Sequence, residues 1–200
     1  MTKHIRNIVN TTIHQIWTKE GPNKAVLAAL RNSSSLLDHD ASAVWPLMLP
    51  NMDKNDLSYN GQPTYAEKAV YVALRCYALY QQGNDHLVFA TTGNEQDSEG
   101  QTLFSAFSLL RTSESTSKPI DRRVQTILGN SNFESVTNAI YHLISIFKSN
   151  YPNEKIDFAQ LAEDLCCFQL NSELSRQICL KWGQEYYWHS HKQDNNEENN

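Results

Sequence analysis

Apolar residues recur along most of this chain every three or four positions, the spacing that lines one face of a helix. Over residues 3–19 the stripe is Ile5, Ile8, Val9, Ile13, Ile16 and Trp17, and Gly21-Pro22 ends it. Pro22 suits the first turn of the next helix, which carries Val26, Leu27 and Leu30. A short apolar piece around Val44, Trp45, Leu47 and Leu49 closes at Pro50, and residues 51–62 read as a polar loop. Pro63 then opens a long helix over residues 64–82, with Ala69, Val70, Ala73, Tyr77 and Ala78 as a small-residue face, stopped by Gly83-Asn84. Only residues 86–90 (HLVFA) look extended, and one such segment cannot build a sheet.

The second half repeats the pattern. A polar connection, GNEQDSEGQ, precedes a helix of Leu103, Phe104, Ala106, Phe107 and Leu110. The linker TSESTSKP leads to Pro119 and a helix holding Arg122, Arg123, Val124, Ile127 and Leu128. Residues 133–148 face inward through Val136, Ile140, Leu143, Ile144 and Phe147. Asp157 with Gln160 has the spacing of a capping box, ahead of Phe158, Leu161, Leu165 and Phe168. Asn171 or Ser172 caps the last helix, which ends in Trp182, Tyr186, Tyr187 and Trp188. The expected fold is an all-α helical bundle of about seven to nine helices joined by short loops.

Composition narrows the picture. With 40% hydrophobic and 20% charged residues, 200 residues suit one globular domain. No apolar run nears the roughly 20 residues that cross a bilayer, and the N-terminus lacks a signal-peptide segment, so a cytoplasmic protein away from membranes is expected. The four cysteines are scattered or adjacent, as small core residues would be. Residues 189–200 (HSHKQDNNEENN) carry no apolar anchor and are expected to form a disordered tail beyond a domain over residues 1–188. The net charge is −5, and the body stays slightly acidic without that tail, so any nucleic-acid contact must come from a local patch.

Catalytic patterns are poor. Asp38-His39-Asp40 contains a His-Asp pair of the kind used by metal-dependent phosphohydrolases, but it sits in a polar linker without further ligands, where capping is the commoner role. His189 and His191, with Cys179 upstream, lack a second ligand cluster. Cys166 or Cys167 beside His142 would need a lowered pKa, and both cysteines fall in an apolar stretch. No cofactor, metal or catalytic residue is expected. The cations are more informative. Arg111, Lys118, Arg122 and Arg123 surround one connection, and planar guanidinium groups pair two phosphate oxygens at once. The alternative is a solvated helix start paired to Asp121 or Glu114. Arg31, Lys148, Arg176 and Lys181 are further cations on polar helix faces. Trp182 and Tyr186 read as core, leaving Tyr187 and Trp188 for protein contacts.

Several segments, taken in order, resemble the CasB family, the small subunit of the type I-E CRISPR complex Cascade. They are AVLAALR ending at Arg31 with Trp45-Pro46 after it, AEKAVY from Ala66, and YALYQQG ending at Gly83. GQTL from Gly100, Asp121-Arg122-Arg123 before Ile127-Leu128, IDFAQLAEDL ending at Leu165, and the stretch from Arg176 through Trp182 to Tyr187 complete the set. The resemblance implies two small packed sub-bundles, about residues 1–100 and 101–188, and no enzymatic activity. It also implies two copies per complex, beside backbone and large subunits, supporting the guide RNA–target DNA duplex and the displaced strand through backbone contacts. It carries a phosphate-contacting role to Arg122 and Arg123 first, and then to Arg31, Arg111, Lys148, Arg176 and Lys181. Where such proteins carry further basic residues this chain has Asn32, Phe104-Ser105, Ser108-Leu109 and Tyr141-His142, a thinner patch. The rival reading is a helical adaptor that touches only proteins.

Overall fold

A computed structural model of the chain describes residues 3–19, 21–93 and 99–197, and the side chains of residues 3, 114–116 and 189–197 fall outside that description. Helix α1 (Lys3–Ile16) buries Ile5, Ile8, Val9, Ile13 and Ile16, the helical spacing of its stripe. It stops three residues earlier than its apolar pattern predicts. Trp17–Thr18 (β1) pairs with Gly21–Pro22 (β2) in a two-residue-long antiparallel hairpin, and Gly21 takes the left-handed backbone, φ +106°, which costs glycine least. Pro22 therefore belongs to the hairpin, and Asn23 caps α2 (Lys24–Asn32) by accepting from Val26 N.

A single-turn 3₁₀ helix (His39–Ala43), α3 (Trp45–Met48) and two further 3₁₀ turns (Leu49–Asn51 and Lys54–Asp56) lead to α4 (Tyr65–Gln81). Thr64 and Glu67 cap α4 reciprocally: Glu67 N donates to Thr64 Oγ1, and Thr64 N donates to Glu67 Oε2 at 2.7 Å. Almost every residue of α4 is buried, because α1, α2, α7 and α8 pack around it.

The second half holds α5 (Leu103–Ser108), α6 (Glu114–Leu128), α7 (Phe133–Asn150), α8 (Phe158–Phe168) and α9 (Ser172–Glu197). The segment expected to be a linker before Pro119 is helical from Glu114, with Pro119 inside α6. Proline lacks one N–H, so the helix forgoes one backbone bond close to its start, where bonds are fewest. The caps of α8 and α9 match their sequence signals: Asp157 accepts from Gln160 N at 2.8 Å and Asn171 from Leu174 N at 2.8 Å. Only half of the capping box at α8 forms, since Gln160 turns its side chain to Asp164. The backbone of α9 continues through the segment read as tail, as far as Glu197. Extending a helix that is already anchored is far cheaper than nucleating one.

Among the described residues one continuous apolar core runs through all nine helices. A division near residue 100 does not separate the contacts, because α8 packs against α1 and α4 as well as α9. The extended segment anticipated at residues 86–90 joins the halves. Ile156 N donates to Val88 O at 3.0 Å, while Gln101 N donates to Lys155 O and Asp157 N to Gln101 O. At that crossing a Cβ on Gly100 would collide with the Ala90 carbonyl, so only glycine fits.

Candidate nucleic-acid interface

The cations divide by the partner each side chain finds. Arg31 lies in the last turn of α2, and Lys148 in the last turn of α7. Both reach the C-terminal end of α4: Lys148 Nζ donates to Leu79 O at 2.9 Å and Gln82 Oε1 at 3.3 Å, and Arg31 Nη1 lies 3.4 Å from Ala78 O. Unpaired carbonyls and the negative end of the helix dipole hold cations there without neutralising them. Among the described residues no carboxylate forms an ion pair with either side chain. Burial pushes the Lys148 pKa down, and the charge on Arg31 pushes it the same way. The two positive charges therefore share one surface region, and among the described residues nothing of opposite sign pairs with either. On α6, Arg122 and Arg123 are both exposed, and no described carboxylate pairs with them.

Arg111 and Lys181 behave otherwise. Arg111 Nε donates to Asp121 Oδ1 at 3.0 Å, and its guanidinium lies over the rings of Tyr186 and Tyr187 at 5.5 and 5.3 Å. Asp121 also accepts the Tyr186 hydroxyl at 2.7 Å. Lys181 Nζ bonds the buried Asp164 at 2.6 Å and lies 3.9 Å from Glu185. Both cations satisfy carboxylates of their own chain, so the phosphate-contacting role the resemblance carried to them is not supported by their geometry. Arg176 is exposed, and its Nη1 donates to Leu128 O at 2.9 Å, capping the end of α6. Lys118 has a partner of its own and stands one helical turn before Arg122.

Sequence reasoning passed over Arg75. It stands in the middle of α4 with 8% of its surface exposed, donates from Nη1 to Ser34 O at 3.1 Å, and lies 4.7 Å from the centre of the Tyr141 ring. The signal was present: Arg75 is the one charge in the apolar stretch from Ala69 to Tyr80. Reading that stretch as a small-residue face hid it.

The weaker catalytic candidates are dispersed. Asp38 accepts from Ser34 N, Ser34 Oγ and Ser35 N at 2.6 to 3.0 Å. Those N–H bonds, Ser35 first, lower its pKa. That is turn capping, the commoner role for such a residue, and His39 projects into solvent. Burial pushes the Cys166 thiol up to about 11, the opposite of an activated nucleophile, and His142 is exposed. The side chains of His189 and His191 lie outside the described residues. The carboxylates of Asp53 and Asp56 and the His4 ring bring ligand atoms within 4.8 Å of one another, with His4 Nε2 at 2.9 Å from Asp56 Oδ2. Among the described residues they are the set best placed to hold a metal.

Trp182 and Tyr186 are buried, Trp182 stacking on Phe104 at 4.7 Å. Tyr187 is half-buried and Trp188 exposed, and with Leu128, Cys179, Leu180 and Gly183 they line an apolar groove of about 650 Å³ between α6 and α9. Among the described residues no helix is long and apolar enough to cross a membrane.

No curated protein is significantly similar to the chain in sequence. The solved structure of CasB from Thermobifida fusca is similar in fold, with a TM-score of 0.66 at 19% identity, covering 92% of this chain and 98% of that one. The family described as CRISPR-associated protein Cse2 matches residues 26–187. That match runs from α2 to the buried turns of α9 and takes in both cation groups, and the chain belongs to the CRISPR-associated Cse2 family.

Proposed function

We propose that the protein is a non-catalytic small subunit of a Cascade-type CRISPR surveillance complex and contacts nucleic acid through its sugar-phosphate backbone. The observation that carries this reading is the set of cations left without carboxylates among the described residues, Arg31 and Lys148 at the end of α4 and Arg122 and Arg123 on α6. Backbone phosphates supply the missing charge in any sequence, which suits a subunit that leaves base reading to guide RNA pairing. With a net charge of −5, the patch is too thin to hold nucleic acid alone. Docking on neighbouring backbone and large subunits, and beside a second copy, supplies the remaining affinity. In this reading it supports the guide–target duplex and the displaced strand and so prolongs the R-loop.

The test replaces Arg122 and Arg123 by glutamate in the assembled complex. The expected result is a shorter R-loop lifetime and a salt dependence of binding shallower by about 0.9 per lost phosphate contact. Unchanged lifetime and slope, with assembly intact, remove both arginines from the interface. The apolar groove between α6 and α9 favours a second reading, an adaptor that touches only protein. Photo-crosslinking from positions 122 and 148 separates the two, since the adaptor forms no adduct with RNA or DNA.

A further inference from the structure

Arg75 lines a cleft of about 550 Å³ that the nucleic-acid reading does not use. One wall is α4, where Lys68, Tyr71, Val72 and Arg75 share a face at intervals of three and four residues. The turn through Ser34 and Leu37 and the first turn of α7 at Phe133 and Glu134 close it. The guanidinium is held in place by the Ser34 carbonyl and the Tyr141 ring. Its Nε is buried without a hydrogen-bond partner, and among the described residues no carboxylate forms an ion pair with it. Asp38, the acid that acts on it electrostatically, spends its hydrogen bonds on Ser34 and Ser35.

A cation taken out of water with neither an ion pair nor a full set of acceptors is costly, and an incoming anion recovers that cost. Lys68, exposed two turns away on the same face, adds a second positive charge at the mouth. The rest of the lining decides what kind of anion fits. Leu37 is 65% exposed at the mouth, and Phe133 and Val72 lie inside, so the occupant carries apolar groups beside its charge. Glu134 on the rim repels a polyanion more than a single carboxylate. We infer that this cleft docks an acidic side chain flanked by apolar residues on a protein partner, the carboxylate meeting Arg75 and Lys68 and the apolar flanks meeting Leu37 and Phe133. The cleft adjoins Arg31, whose charge also acts on Tyr141, but the inference rests on Arg75 and Lys68 and not on a phosphate-contacting role for Arg31.

The test follows the Arg75 Nε–H signal and the Leu37 methyl signals of the full-length protein by NMR during titration with a capped pentapeptide bearing one glutamate among leucines. Expected is a saturable shift of both, with binding at least about tenfold weaker for the glutamine peptide and for Leu37→Asp and Lys68→Glu proteins. Both substitutions are at exposed positions, and circular dichroism checks that they fold. Equal response to the glutamate and glutamine peptides, or none to either, overturns the carboxylate site. A thymidine oligonucleotide moving the Arg75 signal overturns the protein partner in favour of phosphate.

Discussion

Asp164 is fully enclosed between α8 and α9 and takes three donors: Lys181 Nζ at 2.6 Å, Trp182 Nε1 at 2.8 Å and Gln160 Nε2 at 2.9 Å. Removing it leaves an ammonium and an indole N–H without acceptors, so Asp164→Ala is expected to cost about 3 kcal/mol in a urea melt. Lys181→Met should cost less, because that lysine is partly exposed and its loss leaves two donors on the acid. The neighbouring Glu185 sets a pH dependence. Burial raises its carboxyl pKa to about 7, against the pull of Lys181 and a hydrogen bond from Thr102. The native state then holds this proton more tightly than the unfolded chain. Its contribution is complete below the ordinary value of 4.5 and is lost as pH rises to about 7, a fall of about 3 kcal/mol. Denaturant melts from pH 4.5 to 8 should show that decline, and Glu185→Gln should remove most of it. Burial raises the Asp164 carboxyl in the same direction. The Lys181 pair was not legible in the sequence, because Asp164 reaches Lys181 only once α8 meets α9. The Arg111–Asp121 pair follows the alternative the sequence offered for that cluster, a helix start paired to Asp121 or Glu114.

Caps follow local rules, and they were the most readable signals along the chain. Asp157 and Asn171 stand where their spacing placed them, since a cap is a bond between residues three apart and needs no tertiary contact. The cap on α4 does more than its own helix requires: Thr64 Oγ1 also donates to Asp56 O, and Glu67 also accepts from Ser58 N. Thr64→Ala is therefore expected to lose about 1 kcal/mol by thermal melt, near the middle of the range for N-caps. Glu67→Ala should lose more, because Glu67 is buried and accepts from two backbone N–H groups. Pro63 stands just before the cap of α4, as its position suggested, but two other prolines misled. Pro22 suggested a helix start and lies in a hairpin, while Pro119 suggested a boundary and lies inside α6. Proline is compatible with several backbone contexts, and only the packing of Ile120, Val124 and Ile127 into the core selects the helical one for α6.

Across the whole molecule, the all-helical class was legible because the 3.6-residue period persists through nearly every apolar segment, whereas the placement of charge was not. Surface position depends on which helix ends meet, and the meeting of α2, α4 and α7 that gathers Arg31 and Lys148 joins residues far apart in the chain. The net charge of −5 opposes any polyanion at long range, while those two cations attract it only within about a Debye length, roughly 10 Å at 0.1 M salt. The isolated chain should therefore bind duplex DNA more weakly than about 10⁻⁴ M at physiological salt, the weak end of nonspecific association. Under the proposed function, other subunits of an assembled complex hold the same cations against the backbone, which removes the penalty of first approach. Substituting both Arg31 and Lys148 by alanine should then flatten the plot of log affinity against log salt by about 1.8, twice the increment for one phosphate. Among the described residues neither replacement breaks an ion pair, since both side chains rest on backbone carbonyls of α4, so the fold should survive and the slope should report contact alone. A slope that stays the same, in a complex that still assembles, would mean that the end of α4 faces protein or solvent and that α6 alone carries the phosphates.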